Sequence, residues 1–312
     1  MLSCVQAKAI RADFSDEPLS AYVKRYRFPM YVSEKRDGYG VFIEKDGSQV
    51  SIVDRGTFQY RDGFLATGVA EAIEADQALA LGELIADDGK QGDLYKIRNY
   101  MANGKQDKLR IVLYDLLELD RQDLRSTGFL GRLNRLKEIV KPNAYVQVLK
   151  QEVCMDEHHI LKTRDEALAE GYEGVVVKGM DSPYANGAML RLKNRETADV
   201  AILGITKTQG FKETSVAHSL LIGFYDKETG TFKRFGKVGA WDNEPVESWA
   251  TLTRYLMATS VGQDRNFILV RPTVVAEIAY EAKLEDSFRS PRILRIREDK
   301  TVEECVGKQV KR

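Results

Sequence analysis

The chain has 312 residues, 43% of them hydrophobic and 30% charged, the makeup of a globular protein long enough for two domains. Its 47 basic and 47 acidic side chains cancel, so the total neither argues for a nucleic-acid partner nor excludes one; the placement of the charges decides. Residues 1–10 lack the apolar core of roughly 7–15 residues that a signal peptide needs, and no apolar run approaches the ~18 residues of a membrane span, so a cytoplasmic location without membrane contact is expected.

In chain order, Lys35-Arg36-Asp37-Gly38 leads into apolar Val41-Phe42-Ile43. A lysine amine can attack a nucleotide α-phosphate and form a phosphoramide, but three fixed residues are a weak signal, and taken alone they read far more readily as a plain turn opening a hairpin. Residues 41–44 and 49–53 alternate around Asp46-Gly47, a hairpin signal. The alanine-rich stretch 69–79 predicts a helix. Residues 80–86 and 110–117 read as buried strands, 129–140 and 156–170 as helices, the second stopped by Gly171. Residues 174–178 are a buried strand, and 189–193 alternate, with Leu190 and Leu192 on one face and Arg191 and Lys193 on the other. Beyond 197 the pattern changes to five strands (200–206, 219–225, 231–235, 274–280, 293–296) and one helix (246–258), which suits a small OB-type barrel. A short hinge is expected at 197–199. Cys4, Cys154 and Cys305 show no C-x-x-C spacing, which argues against zinc and for a reducing compartment. His158, His159 and His218 read as ordinary polar residues without partners at metal-ligand spacing.

Several charges fall on apolar strands, where burial is costly unless they are paired or bound to a ligand. Glu83 sits mid-strand in Leu81-Gly82-Glu83-Leu84-Ile85, Tyr114-Asp115 in another strand, Glu173 and Lys178 at the two ends of a valine run, and Arg191 and Lys193 on the next. A structural ion-pair network accounts for one or two of these, not for all.

In these motifs the chain resembles the covalent nucleotidyltransferase superfamily, and within it the ATP-dependent DNA ligases. Lys35-Arg36-Asp37-Gly38 is similar to the motif whose lysine is adenylylated, Asp54-Arg55-Gly56 to the Ser-Arg-x-Gly element, Leu81-Gly82-Glu83 to Asp-Gly-Glu, Glu173-Gly174 to the opening of motif IV and Arg191-Leu192-Lys193 to motif V. Ser182-Pro183-Tyr184-x-x-Gly187 is also typical. Gly236-Lys237-Val238-Gly239, Val275-Ala276-Glu277-Ile278 and the run from Ser290 to Lys300, ending in R-x-D-K, resemble the ligase OB domain. The chain departs from the family with Gly40 where arginine is usual, Leu81 for aspartate and Arg191 for lysine.

The resemblance implies an α+β protein: an adenylyltransferase (ATP-grasp-like) domain of antiparallel sheets and helices over 1–197, then an OB-fold β-barrel over 198–312. It implies Lys35 as nucleophile, with Asp37, Arg191 and Lys193 catalytic. Glu34, Arg55, Glu83, Tyr114 (stacked on adenine), Lys178, Arg297 and Lys300 would bind nucleotide, the last two at the pyrophosphate. Glu173 and Glu83 would hold Mg²⁺, for which Mn²⁺ could substitute. An ordinary lysine is protonated at neutral pH, so the site has to relieve Lys35 of a proton. ATP would donate AMP to Lys35, AMP would pass to the 5′-phosphate of a nick in duplex DNA, and the 3′-hydroxyl would displace it. Arg289, Arg292, Arg295, Lys207, Lys212, Lys233 and Arg234 are the DNA-phosphate candidates. With only 34 residues before Lys35, the expected type is a minimal, monomeric, viral- or phage-like ligase, located in the host cytoplasm if viral. The rival readings are an mRNA-capping guanylyltransferase, an RNA ligase, or a non-catalytic nucleic-acid-binding OB module. The segment 241–260 is left open between a DNA clamp and barrel packing.

Overall fold

A computed structural model of the chain describes residues 14–15, 17–54, 59–60, 63–194, 196–207, 216–239 and 246–307. Arg55 and Lys212 lie outside them. Two compact units follow one another, 1–193 and 194–312.

The first unit runs β1 (Phe14–Ser15), α1 (Leu19–Tyr26), β2 (Met30–Glu34), β3 (Tyr39–Asp46), β4 (Gln49–Val53), β5 (Gln59–Tyr60), α2 (Phe64–Ala72), β6 (Gln77–Ile85), α3 (Asp93–Ala102), β7 (Arg110–Leu119), β8 (Gln122–Asp123), α4 (Phe129–Ile139), β9 (Val146–Val148), β10 (Glu152–Cys154), α5 (Glu157–Ala169), β11 (Gly174–Gly179) and β12 (Met189–Lys193). One sheet has the order β1-β12-β11-β2-β10; the other has β5-β4-β3-β6-β7-β8, with β9 beside β7. Phe42, Leu81 and Leu117 of the second sheet form one apolar layer with Met189 of the first. On their other faces, Ile43, Ala80 and Leu84 pack in a core with helical Leu65 and Val69, while Val32, Val175 and Val177 pack with Tyr22 and Ile160 of α1 and α5. Burial on both faces is why β6, β7 and β11 read as apolar runs rather than alternations.

The hairpin forms at Asp46-Gly47, where Gly47 takes φ +58°. Helix α5 is capped by Asp156, whose Oδ1 accepts from the His159 N–H at 2.7 Å. The helix expected at 69–79 is corrected: α2 ends at Ala72, and β6 begins at Gln77. Ala78 and Ala80 are fully buried in that central strand, where small side chains fit beneath the helices.

The second unit comprises β13 (Glu196–Thr206), β14 (Ser219–Asp226), β15 (Thr231–Gly239), α6 (Val246–Ala258), β16 (Ser260–Gln263), β17 (Phe267–Val270), β18 (Val275–Tyr280), β19 (Ala282–Lys283), β20 (Phe288–Arg289) and β21 (Arg292–Ile296). Pairing closes on itself: β13 pairs β14, β14 pairs β15, β15 meets β21 in parallel at Gly239↔Arg292, β21 pairs β18, and β18 returns to β13. This is the five-strand circuit of an OB fold. The expected hinge at 197–199 is corrected, because those residues belong to β13 and pair with 277–279. Helix α6 sends Trp249 and Leu256 into the core with Ile202, Ile222 and Ile278, and the Trp249 indole N–H donates to the Ala217 carbonyl. Within the segment 241–260, this helix packs on the barrel. Among the described residues no helix is long and apolar enough to cross a membrane.

Candidate active site

Three neighbouring strands bring Lys35, Glu173 and Lys193 together. Strand β11 lies antiparallel between β2 and β12, with Val175 opposite Glu34 and Gly174 opposite Lys193. The ladder continues one step past β2, since the Lys35 N–H donates to the Gly174 carbonyl (2.8 Å) and the Glu173 N–H to the Lys35 carbonyl (3.2 Å). Glu173 Oε2 therefore lies 2.6 Å from Lys35 Nζ and 3.7 Å from Lys193 Nζ. All three side chains are largely sheltered, at 6%, 18% and 13% exposure respectively. Gly174 has no alternative: at φ +133° a Cβ would stand 2.1 Å from the Leu192 carbonyl oxygen.

Gly38 joins this loop to the other sheet. A Cβ there would lie 2.2 Å from the Leu84 carbonyl oxygen and 2.9 Å from Glu83 Cγ, so only glycine lets the chain after Lys35 press against β6 beside Glu83. Glu83 is half-buried and stands opposite Gly40 and Val112 in the ladder. Asp37 is buried, and its carboxylate accepts from the Gly92 N–H at 2.7 Å while its own N–H donates to the Gly89 carbonyl, tying the lysine loop to the 86–93 turn. Asp93 anchors that turn by accepting from the N–H groups of Ala86 and Gly89, and burial pushes its carboxyl above the usual range.

Beneath Tyr114 lies a second charged cluster. Arg132 of α4 and Asp115 of β7 form a bidentate pair, 2.7 and 3.0 Å long, both side chains almost fully buried. Arg132 also donates to the carbonyls of Thr127 and Ser182. Lys178 Nζ donates to the Tyr114 carbonyl (3.2 Å) and lies 3.8 Å from Asp115 and 5.0 Å from the Tyr114 ring centroid. Burial brings the Lys178 ammonium down to about 8; Asp115 opposes this and Arg132 adds to it. Lys178 thus sits behind the Tyr114 ring at 2% exposure.

Other expected residues are dispersed. Glu34 turns to Arg36 (3.8 Å), and its Oε2 is buried without a hydrogen bond. Arg191 lies over the Phe14 ring at 5.2 Å. In the second unit Arg297 pairs with Asp199 (3.2 Å) and Asp299 (2.6 Å), and Lys300 pairs with Asp199 as well; the Arg297 hydrogen bonds hold the Asp299 carboxyl well below the usual range. Of the DNA candidates, Arg295 pairs with Glu277 (2.6 Å), Lys233 with Asp226 (2.5 Å), Arg234 with Asp264 (2.9 Å) and Arg289 more loosely with Glu281 (3.9 Å). Lys207 reaches Gln263 at 3.4 Å, and Arg292 is half-buried at the start of β21. Sequence reasoning missed Arg132, one of several charged residues on the helix expected at 129–140. It also missed Gln151, whose amide nitrogen and oxygen are both buried without partners two residues beyond Leu149, which packs with Tyr114.

Residues 12–194 match the family model of the ATP dependent DNA ligase domain, and residues 213–300 that of the ATP dependent DNA ligase C terminal region. Curated relatives include the DNA ligase of Thermococcus fumicolans, 29% identical over 87% of this chain and 52% of its own. Another is a probable DNA ligase of Streptomyces avermitilis, 29% identical over 88% and 57%. The chain spans about half the length of the curated relatives it matches. Among solved structures, a Lig E DNA ligase superposes with a TM-score of 0.62 at 16% identity, covering 92% of this chain and 99% of that one. One described as Pmar-Lig_Pre superposes at 0.63 and 18% identity, covering 93% and 68%. These two likenesses show the fold. The chain belongs to the ATP-dependent DNA ligase family.

Proposed function

We propose that this chain is an ATP-dependent DNA ligase that seals 5′-phosphate/3′-hydroxyl nicks in duplex DNA through lysyl-AMP and DNA-adenylate intermediates. The observation that carries the reading is the Lys35–Glu173–Lys193 cluster, an amine 2.6 Å from a sheltered carboxylate with a second cation behind it. Lys35 Nζ gives a proton toward Glu173 along the existing contact and attacks the α-phosphorus of ATP. A P–N bond forms as the bond to pyrophosphate breaks. The 5′-phosphate at the nick then attacks the same phosphorus and returns the electron pair to Nζ. Finally the 3′-hydroxyl attacks the 5′-phosphorus and AMP leaves. Such transfers need chiefly positioning and charge neutralisation.

The residues fit the nucleotide. Tyr114 offers a ring face held from behind by Lys178, and the Gln151 amide has a buried donor and acceptor unspent, suited to a purine edge. Lys193 and Arg191 stabilise phosphate charge. Glu173 and Glu83 are hard oxygen donors suited to Mg²⁺, and a bound Mg²⁺ would neutralise phosphate charge there. Asp37 positions the Lys35 loop through Gly92. Arg297 and Lys300 serve the pyrophosphate by exchanging Asp199 and Asp299 for phosphate oxygens. Arg292, Arg295, Lys207 and their neighbours meet DNA phosphates by the same kind of exchange.

The test is incubation with Mg²⁺ and α-labelled ATP or GTP, followed by a chase with nicked DNA. An ATP-specific label on the denatured protein, lost in Lys35→Ala and chased into a sealed strand, is expected. A GTP-specific adduct would move the reading to capping enzymes. No adduct from protein first stripped of AMP with pyrophosphate would leave a nucleic-acid-binding scaffold.

A further inference from the structure

A second constellation lies on the far side of β2 from β11. Strand β10 is the edge of its sheet, with Glu152 opposite Val32 and Cys154 opposite Met30. Residues two apart on a strand share a face, so Glu152 and Cys154 point the same way. The chain then turns through Met155 and Asp156 into α5, where His159 and Thr163, four apart, share the helix face turned back toward the strand. His159 Nε2 comes to 2.9 Å from Glu152 Oε1. Thr163 Oγ1 shares its one proton between the His159 carbonyl at 3.0 Å and Glu152 Oε2 at 3.2 Å, and sits 3.7 Å from Cys154 Sγ. The carboxylate oxygen, thiol sulfur and imidazole nitrogen all lie within 4.8 Å of one another.

The linear spacing conceals this set, because the strand-to-helix reversal, not a C-x-x-C or His-x-x-x-His pattern, creates it. A tetrahedral zinc ion with bonds of about 2.0–2.3 Å holds its ligand atoms roughly 3–4 Å apart, so side-chain rotation on two short arms suffices. One sulfur, one imidazole and one carboxylate suit a borderline metal and disfavour Mg²⁺ or Ca²⁺. Thr163 already supports the carboxylate from behind, as outer-shell groups of metal sites do. His159 and Glu152 are 37% and 44% exposed, which leaves an entry path and a position for water, while Cys154 forms the buried floor.

We propose that Glu152, Cys154 and His159 bind one divalent transition metal of the zinc class, with Thr163 positioning Glu152 and water completing the shell. On binding, the Cys154 thiol proton is released to solvent and neutral His159 ligates through Nε2.

The test is Co²⁺ titration of the full chain after chelator stripping, read by absorption. A thiolate-to-cobalt band in the near ultraviolet and visible bands of tetrahedral cobalt should saturate at one equivalent and bleach on addition of Zn²⁺. Cys154→Ser should abolish the thiolate band, and Cys305→Ser should retain it. His159→Gln, at a partly exposed position that does not threaten folding, should weaken Co²⁺ affinity by at least ~10-fold. Absence of a thiolate band in the unmodified chain, or a band that survives Cys154→Ser, or unchanged affinity in His159→Gln, would overturn the proposal.

Discussion

In the first unit the two charged clusters, on or beside apolar strands apart from Arg132 of α4, are at 18% exposure or less, and each carboxylate there serves two cations: Glu173 between Lys35 and Lys193, Asp115 between Arg132 and Lys178. In the second unit Lys233 and Arg295 stand 71% and 63% exposed, each reaching from solvent to a half-buried carboxylate. A sheltered charge is fixed by its partners and can be aimed at chemistry. A solvated pair is weak and exchangeable, which is what a surface meeting phosphates needs. Around Asp199, Arg297 at 13% exposure is as sheltered as Lys193, and only Lys300, at 28%, is intermediate.

Removing one partner from each kind of pair breaks or sharpens this contrast most strongly. Arg132→Ala strands Asp115 without its bidentate partner and should lower unfolding stability by about 3–5 kcal/mol in urea titrations, whereas Arg295→Ala should leave the midpoint unchanged. Equal losses would erase the distinction. Next in size, Gly38→Ala forces β6 away from the lysine loop and should cost about 1–3 kcal/mol along with slower adenylylation, while Gly239→Ala, which meets nothing within 4 Å, should be neutral in thermal melts.

A smaller effect concerns pH. Lys178 titrates near 8 in the folded chain and higher when unfolded, so its charge opposes folding below about pH 8, and that opposition fades as pH rises toward the ordinary lysine range. The stability difference between Lys178→Met and the unmodified chain should therefore change between about pH 8 and 10 and stay level below it; a level difference throughout would refute the buried placement. The least effect is expected at Asp226, held at about 2 chiefly by its hydrogen bond to Lys233. Its contribution is complete above the ordinary aspartate range and is lost as pH falls through about 2. Lys233→Gln should move the Asp226 carboxyl titration upward by NMR while lowering the neutral-pH melt only slightly, since the pair is exposed.

Lys35, Glu83, Glu173 and Lys193 stood out as candidates because a charge on or beside an apolar strand demands a reason, and their order along the chain carries the family resemblance; that Lys35, Glu173 and Lys193 meet is what the strand pairing adds. The closed barrel was legible because its five strands and one helix are each strongly patterned. The Asp115–Arg132 pair was not: its members are 17 residues apart, and Arg132 lies on a helix whose other charges face solvent. Helices α1 and α3 were missed because both are short and polar. The stretch 69–79 misled because alanine favours helix yet also fills the tight centre of β6. Glu152, Cys154 and His159 looked unrelated until a strand edge and a helix turn placed them face to face.

We propose above that this three-strand cluster makes Lys35 the nucleophile. Intact-mass measurement after incubation with ATP and Mg²⁺, followed by peptide mapping under mild alkaline conditions that preserve a phosphoramide, tests it most directly. A single adenylyl group is expected on the peptide carrying Lys35, absent in Lys35→Ala and strongly reduced in Glu173→Gln. An adduct on Lys178, Lys193 or any other residue, or full modification of Glu173→Gln, would contradict it.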